Sequence, residues 1–251
     1  MRILSINISE PKKIVFNGKE LITSIYKKPI EGPIEVTDVG LIGDRQADMK
    51  VHGGYDKAIY AYSYKHYQTW SEEMNQEYNE FGLVGENLTI DDFDERKIYI
   101  GDELKIGNCL FQISQPRIPC YKIGIKMNSR DFPKKFSQSG LLGSYLRVLE
   151  PGKISKNDEV EYIRKEKQSL SVYEVAEILF RDINNIDKMK QAFLSNLITA
   201  KSAKHPTVVI TDLASGAQTL WIDGKSEGDV AITPALGGSI ERTLRRDKGE
   251  T

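Results

Sequence analysis

Apolar and polar residues alternate over short runs in the first 43 positions, in RILSINIS, ELITSIY and PIEVTDV, with breaks at Asn17-Gly18 and Gly32-Pro33. That period predicts half-buried strands separated by turns. From Tyr67 the period changes, because Tyr67, Trp70, Met74, Tyr78 and Phe81 recur at helical spacing and Gly82 offers a stop. The spacing predicts one amphipathic helix reaching residue 81. RKIYIGDELKIG, CLFQISQ, YLRVLEPG and DEVEYIR return to strand chemistry, with Gly101-Asp102 and Gly107-Asn108 as turns. Many short strands and one helix predict a mainly β fold, a barrel or sandwich rather than a parallel sheet.

Near residues 166–169 the character changes. Ser171 and Glu174 form a capping-box pattern, and Val172, Val175, Ala176, Leu179 and Phe180 share one helical face. A second helix is expected from Ile186 through Met189 and Phe193 to Leu197, after Asn184-Asn185. From about His205 the chain has no Asn, Tyr or Phe. There TVVITD, TLWIDG and DVAITPA suit either a small hairpin set or a weakly ordered extension. The expected organisation is a β domain over 1–165, a small helical domain over 166–204 and a divergent tail over 205–251.

Composition narrows the function classes. Thirty-five basic and thirty-six acidic residues leave a net charge of −1, which argues against nucleic acid or a membrane surface as the main partner. Any cationic site must be local. The opening MRILSINISEPKK has too short an apolar run for a signal peptide, and no stretch is apolar for long enough to span a bilayer, so a cytoplasmic protein is expected. Two cysteines, Cys109 and Cys120, are too few for a disulfide framework.

Three clusters could carry chemistry. Gly40 to Tyr62 packs Asp44, Asp48, His52, Gly53, Gly54, Asp56 and Lys57 into a short span before an apolar strand. Paired glycines let backbone N–H groups approach an anion, and Lys57 adds a charge, although a His-Gly-Gly turn can also do no more than reverse the chain. Phe81 to Ile90 holds Glu86 and Asn87 after Gly85; the Asn87 amide suits the edge of a pterin ring, or a plain turn. Gln112 to Gly124 places Arg117 between two prolines, with Cys120 after Pro119 and Lys122 close behind. Neighbouring cations favour a thiolate, which is both nucleophile and soft metal ligand; the alternative is a cysteine packed under a loop. Cys109, inside an apolar strand, reads as inert packing. Three histidines and two separated cysteines fit a zinc site poorly, and His66 in the helix suits packing better than ligation. Walker and dinucleotide fingerprints are absent.

GLIGDRQAD, VHGGYDKAIYAY, the helix with His66, Tyr67 and Trp70, GENLT, IGDELKIG, QISQPRIPCYKIG and SGLLGSYLRVLEPG occur in an order that resembles MOSC-domain proteins of the YiiM type, within the superfamily of the molybdenum cofactor sulfurase C-terminal domain. The resemblance covers residues 1–163, continues into a three-helix appendage and fades after about Leu197. It implies a β-barrel in which Cys120 ligates molybdenum of a molybdopterin cofactor. It further implies that His52, Gly53, Gly54, Lys57, Asn87 and Arg117 line the pocket, with His52 also catalytic and Lys27 a further basic group. Proteins of this type are associated with reduction of N-hydroxylated compounds such as 6-hydroxylaminopurine to amines, a detoxification that needs an electron donor protein. An association with pyridoxal phosphate and a homodimeric assembly belong to the same implied set. Tyr55 departs from the pattern, since relatives commonly have proline there, which alters loop stiffness more than ligand chemistry.

The chemistry is compatible with that implication, because a soft thiolate suits high-valent molybdenum and a phosphate tail needs donors and positive charge. Asp44, Asp56 and Glu86 are candidate proton relays. A non-catalytic cofactor carrier, cofactor-free persulfide or thiol transfer at Cys120, and a binding platform with an interaction module remain alternatives.

Overall fold

The computed structural model describes residues 1–47, 53–166 and 169–182, together with the backbone of three strands within 207–228. The chain forms two compact units, residues 1–192 and 193–251. Among the described residues the first unit is mainly β with four helices.

Its principal sheet is built from β1 (Ile3–Ile8), β4 (Lys28–Pro29), β7 (Ile59–Ser63), β8 (Leu88–Ile90), β9 (Glu103–Ile106), β10 (Cys109–Pro116), β11 (Ser144–Glu150) and β13 (Val160–Arg164). They lie in the order β13-β9-β10-β11-β7-β8-β1-β4. A hairpin of β2 (Lys12–Phe16) and β3 (Lys19–Thr23) stands apart, turning at Asn17 (φ 52°) and Gly18 (φ 74°), the paired positive dihedrals of a tight hairpin turn. β5 (Ile34–Thr37), β6 (Gly40–Leu41) and β12 (Gly152–Ile154) make a third, small sheet. The expected barrel is met in part. The sheet curls until its edges touch at one bridge, Arg2 to Glu159, supported by Val160 N donating to Met1 O at 2.7 Å, but no ladder joins β4 to β13 among the described residues.

All pairings in the principal sheet are antiparallel except β7 with β8. These two are parallel because α1 (Lys65–Met74) carries the chain back across the sheet between them. α1 stops well before the expected residue 81. Asn75 takes the left-handed conformation (φ 49°), and Gln76 N returns to Ser71 O at 3.0 Å, a C-cap that the apolar spacing alone does not reveal. Tyr78 and Phe81 still pack against the core, but from a loop.

β7 explains how one sheet serves two cores. Its five residues are all buried, with Ile59 and Ala61 facing the aliphatic interior of the sheet and Tyr60 and Tyr62 facing an aromatic cluster. That cluster gathers Trp70, Phe132 and Phe136, and the Trp70 indole donates to the Tyr62 hydroxyl at 2.6 Å. Two short helices that the strand reading omits, α2 (Tyr121–Lys126) and α3 (Phe132–Ser139), supply its outer wall. α4 (Val172–Phe180) has the expected capping box, with Ser171 N donating to Glu174 Oε2 at 2.8 Å and Glu174 N to Ser171 Oγ at 3.1 Å. Val172 and Ala176 are buried as expected, but Leu179 is 43% exposed and Ile178 is buried in its stead. The expected helix over 186–197 lies outside the described residues.

The second unit contains β14 (Thr207–Thr211), β15 (Gln218–Ile222) and β16 (Lys225–Gly228) as an antiparallel meander. The first two fall on TVVITD and TLWIDG. The third precedes DVAITPA, which lies outside the described residues. No helix among the described residues is long and apolar enough to cross a membrane.

Candidate functional site

The site begins where β10 ends. Pro116 closes the strand and the rigid Arg117–Pro119 segment leads to Cys120, whose extended backbone (φ −112°, ψ 168°) starts α2. Cys120 is half-buried, and it lines a small cavity that opens to solvent. The other walls come from Thr23 to Lys27 after β3, Gln46 and Ala47, Tyr60 on β7, Gly85 and Asn87, Lys122, and Tyr145 on β11. Lys27, Asn87, Arg117 and Cys120 are thereby brought together.

Gly53, Gly54 and Lys57 are absent from the described lining. Gly54, at φ 98°, instead leads into a single 3-10 turn, Tyr55–Lys57. That turn is anchored from behind: Arg147, 3% exposed, donates to Asp56 and to Gln112, and Ser114 Oγ donates to Asp56 O at 2.6 Å. His52 lies outside the described residues.

Each polar wall group has a distinct state. Arg117 is buried, donates Nη1 to Val84 O at 2.7 Å, and lies 4.6 Å above the Tyr60 ring, yet its Nε has no partner. Ser24 Oγ is likewise buried without a partner. Unsatisfied buried polar atoms are rare in folded proteins, and both of these belong to residues of the cavity wall. Lys27 is less free than its sequence suggests. Its ammonium pairs with Asp44 at 2.6 Å, both side chains being almost fully buried, and burial lowers its pKa against the opposing pull of Asp44. Asp44 also accepts from Ser9 N at 2.8 Å and Asn87 Nδ2 at 2.9 Å, so it fixes the orientation of the Asn87 amide.

The loop carrying Gly85 and Asn87 is held by Glu86, which is fully buried. Glu86 accepts from Gly82 N at 3.1 Å, Val84 N at 3.0 Å and Thr89 Oγ1 at 3.0 Å, and from the Tyr67 hydroxyl. The loop also presses closely on residues 25–27, since a Cβ on Gly85 (φ +86°) would stand 2.8 Å from Ile25 Cγ1. Lys126 stitches the same two segments, donating to Ile25 O at 3.0 Å and to Gly82 O.

Burial lowers the Lys126 pKa to about 8, with Glu86 opposing and Arg117, Lys27 and Lys12 adding to the fall. Between that value and the ordinary 10.5 the unfolded chain binds more protons at this position, so raising the pH there favours the folded state. The unfolding free energy of the wild type minus that of Lys126→Met should therefore rise from pH 8 to 10, by roughly 1–3 kcal/mol. Denaturation curves giving a pH-independent difference would refute this.

The two cysteines separate cleanly. Cys109 is 1% exposed on β10 and burial raises its thiol to about 11, with Asp158 contributing. A small alkylating reagent is expected to modify Cys120 in the native protein and Cys109 only after unfolding, as peptide mass mapping would show. His66 is committed elsewhere, its Nε2 lying 2.8 Å from the buried carboxylate of Glu95, which also accepts from Gly143 N. Among the described residues no group of three or more His, Cys, Asp or Glu side chains could hold a metal ion by itself.

Comparison with known proteins bears on this arrangement. The family model for the MOSC domain matches residues 48–161. Protein YiiM of Escherichia coli is 35% identical over 158 residues, covering 62% of this chain and 70% of its own. The uncharacterized protein YflK of Bacillus subtilis is 32% identical over 189 residues, 75% of this chain and 85% of its own. The chain belongs to the MOSC-domain family. A Gibberella moniliformis protein named reductase shares 30% identity over 180 residues, 70% of this chain, with the match spanning 32% of the fungal protein. The crystal structure of YiiM from Geobacillus stearothermophilus superposes with a TM-score of 0.61 at 26% identity, covering 96% of this chain and 98% of the other. The MOSC match takes in Tyr60, Gly85, Asn87, Arg117, Cys120, Lys122 and Tyr145 but leaves out Thr23 to Lys27, Gln46 and Ala47, which the fold brings to the site from the N-terminal side.

Proposed function

We propose that this MOSC-domain protein holds a molybdenum pterin cofactor through Cys120 and reduces N-hydroxylated compounds, such as hydroxylamino purines, to amines. The observation that supports it is the partly buried Cys120 thiol on a cavity wall shared with Arg117, Lys122 and the oriented amide of Asn87. The residues present fit the cofactor. One soft ligand suffices for a metal that brings its own dithiolene. Arg117 and Lys122 would neutralise its phosphate, and Asn87, oriented by Asp44, would meet an amide edge of the pterin. Lys27, already paired with Asp44, would contribute mainly by fixing that wall.

When bound, the cofactor would supply the redox chemistry. Overall, R–NHOH takes up two electrons and two protons to give R–NH2 and water. The chain's part is to orient the N–OH group, exclude bulk water and deliver a proton to the departing oxygen. Of the candidate relays, Asp44 is bound up with Lys27, Asp56 with Arg147, and Glu86 with its own loop. Tyr145 lines the cavity, and we assign its hydroxyl the hydrogen bond to the leaving oxygen. Detoxification in a reducing compartment, the cytoplasm, fits a site built on a free thiol.

The test is to produce the protein in a host that makes the cofactor, measure molybdenum and pterin content, and assay 6-hydroxylaminopurine reduction with reduced methyl viologen. Stoichiometric cofactor with turnover supports the reading. Cofactor retained without turnover would leave a carrier, and no cofactor at all would overturn the assignment.

A further inference from the structure

Exposed apolar surface concentrates beside the pocket. Eleven large apolar side chains are exposed among the described residues, and three of them fall in two neighbouring segments: Phe16 at the tip of the β2–β3 hairpin, and Ile118 and Tyr121 on either side of Cys120; Val15 and Ile22 are exposed on the opposite face of the hairpin from Phe16. Scattered exposed apolar residues need no explanation, but a cluster of them is the mark of an interaction surface. The two segments are physically joined. Lys122 Nζ donates to Ile22 O at 3.0 Å, and an open groove runs between the hairpin tip and α2, lined by Phe16, Asn17, Tyr121, Ile125 and Arg130 among others. Cys120 and Lys122, at the start of α2, also line the pocket, so groove and pocket adjoin.

The same region has one sign of charge. Residues 12–28 and 117–135 contain eleven lysines and arginines against only Glu20 and Asp131, in a chain whose net charge is −1. Three of the eleven, Lys27, Arg117 and Lys126, belong to the interior, whereas Lys12, Lys13, Lys19, Lys28, Arg130 and Lys134 are exposed. A basic rim with an apolar centre beside a redox pocket selects an acidic partner and speeds its encounter.

We propose that the β2–β3 hairpin and the start of α2 form the docking surface for an acidic one-electron carrier protein that delivers electrons to the Cys120 pocket; this rests on the reductase reading above. Two reduced carriers each give up one electron, two protons come from solvent, the N–O bond breaks, and water leaves. A second copy of this chain is disfavoured as occupant, because it would set like charge against like.

The probe is an acidic plant-type [2Fe–2S] ferredoxin, with the holoprotein, the charge variant Lys19→Glu/Arg130→Glu and the apolar variant Phe16→Ser. Calorimetry should show wild-type binding that weakens as salt rises, and each variant should lose at least about tenfold in affinity. Ferredoxin-driven turnover should fall in parallel, while viologen-driven turnover stays near wild type. Wild-type protein that does not bind ferredoxin, or variants that bind as wild type does, would overturn the surface. So would wild-type sedimentation with phosphatidylserine vesicles in place of ferredoxin binding. Failure of viologen-driven turnover in the wild type would sink the reductase reading instead, and calorimetry would still report on the docking surface.

Discussion

Cys120→Ala, produced in a cofactor-making host, is expected to purify with at least about 100-fold less molybdenum than the wild type and with no 6-hydroxylaminopurine reduction. The size of the effect follows from the sparse ligand supply: among the described residues nothing else on the cavity wall offers a soft donor, since Cys109 is sealed inside the sheet. Arg117, Ser24 and Asn87 would still hold the organic part, so some pterin should persist in the variant when molybdenum does not. The fold should be unharmed, because the half-exposed side chain is nobody's packing partner in either core. Wild-type levels of metal in the variant would end the assignment of Cys120 as ligand.

Glu86→Gln is expected to cost about 3–5 kcal/mol of stability in denaturant titrations, far more than its near-identical shape suggests. The carboxylate accepts from two backbone N–H groups, Thr89 and Tyr67, and an amide must turn one of its own N–H groups toward those donors. Damage would spread to the pocket, since the same loop gives it Gly85 and Asn87 and receives Arg117 at Val84 O. Cofactor content should therefore fall along with the midpoint. A loss below about 1 kcal/mol would show that the four hydrogen bonds are dispensable.

How far the sequence reveals the molecule can be seen residue by residue. Alternation located β1, β9, β10, β11 and β13, and the Ser171–Glu174 pair announced α4, because these are local signals. The end of α1 at Asn75 was hidden, since Tyr78 and Phe81 keep helical spacing while packing from a loop. α2 and α3 were missed because their segments follow prolines and glycines that read as turns, although Phe132 and Phe136 stand at helical spacing. Within the site, Arg117 and Cys120 declared themselves by proximity to prolines and charge. Ser24, Tyr60 and Tyr145 did not, as each looks like any other strand or loop residue and only the fold directs it to the cavity. The Lys27–Asp44 pairing, seventeen positions apart, was equally unreadable, and it turns two apparent functional charges into a scaffold.

Every described side chain of the cavity comes from the stretch between Thr23 and Tyr145. Among the described residues, β12, β13 and α4 supply no wall side chain, so their sequences can change without altering the wall. The closing part of the first unit is thereby free to diverge while the pocket stays the same.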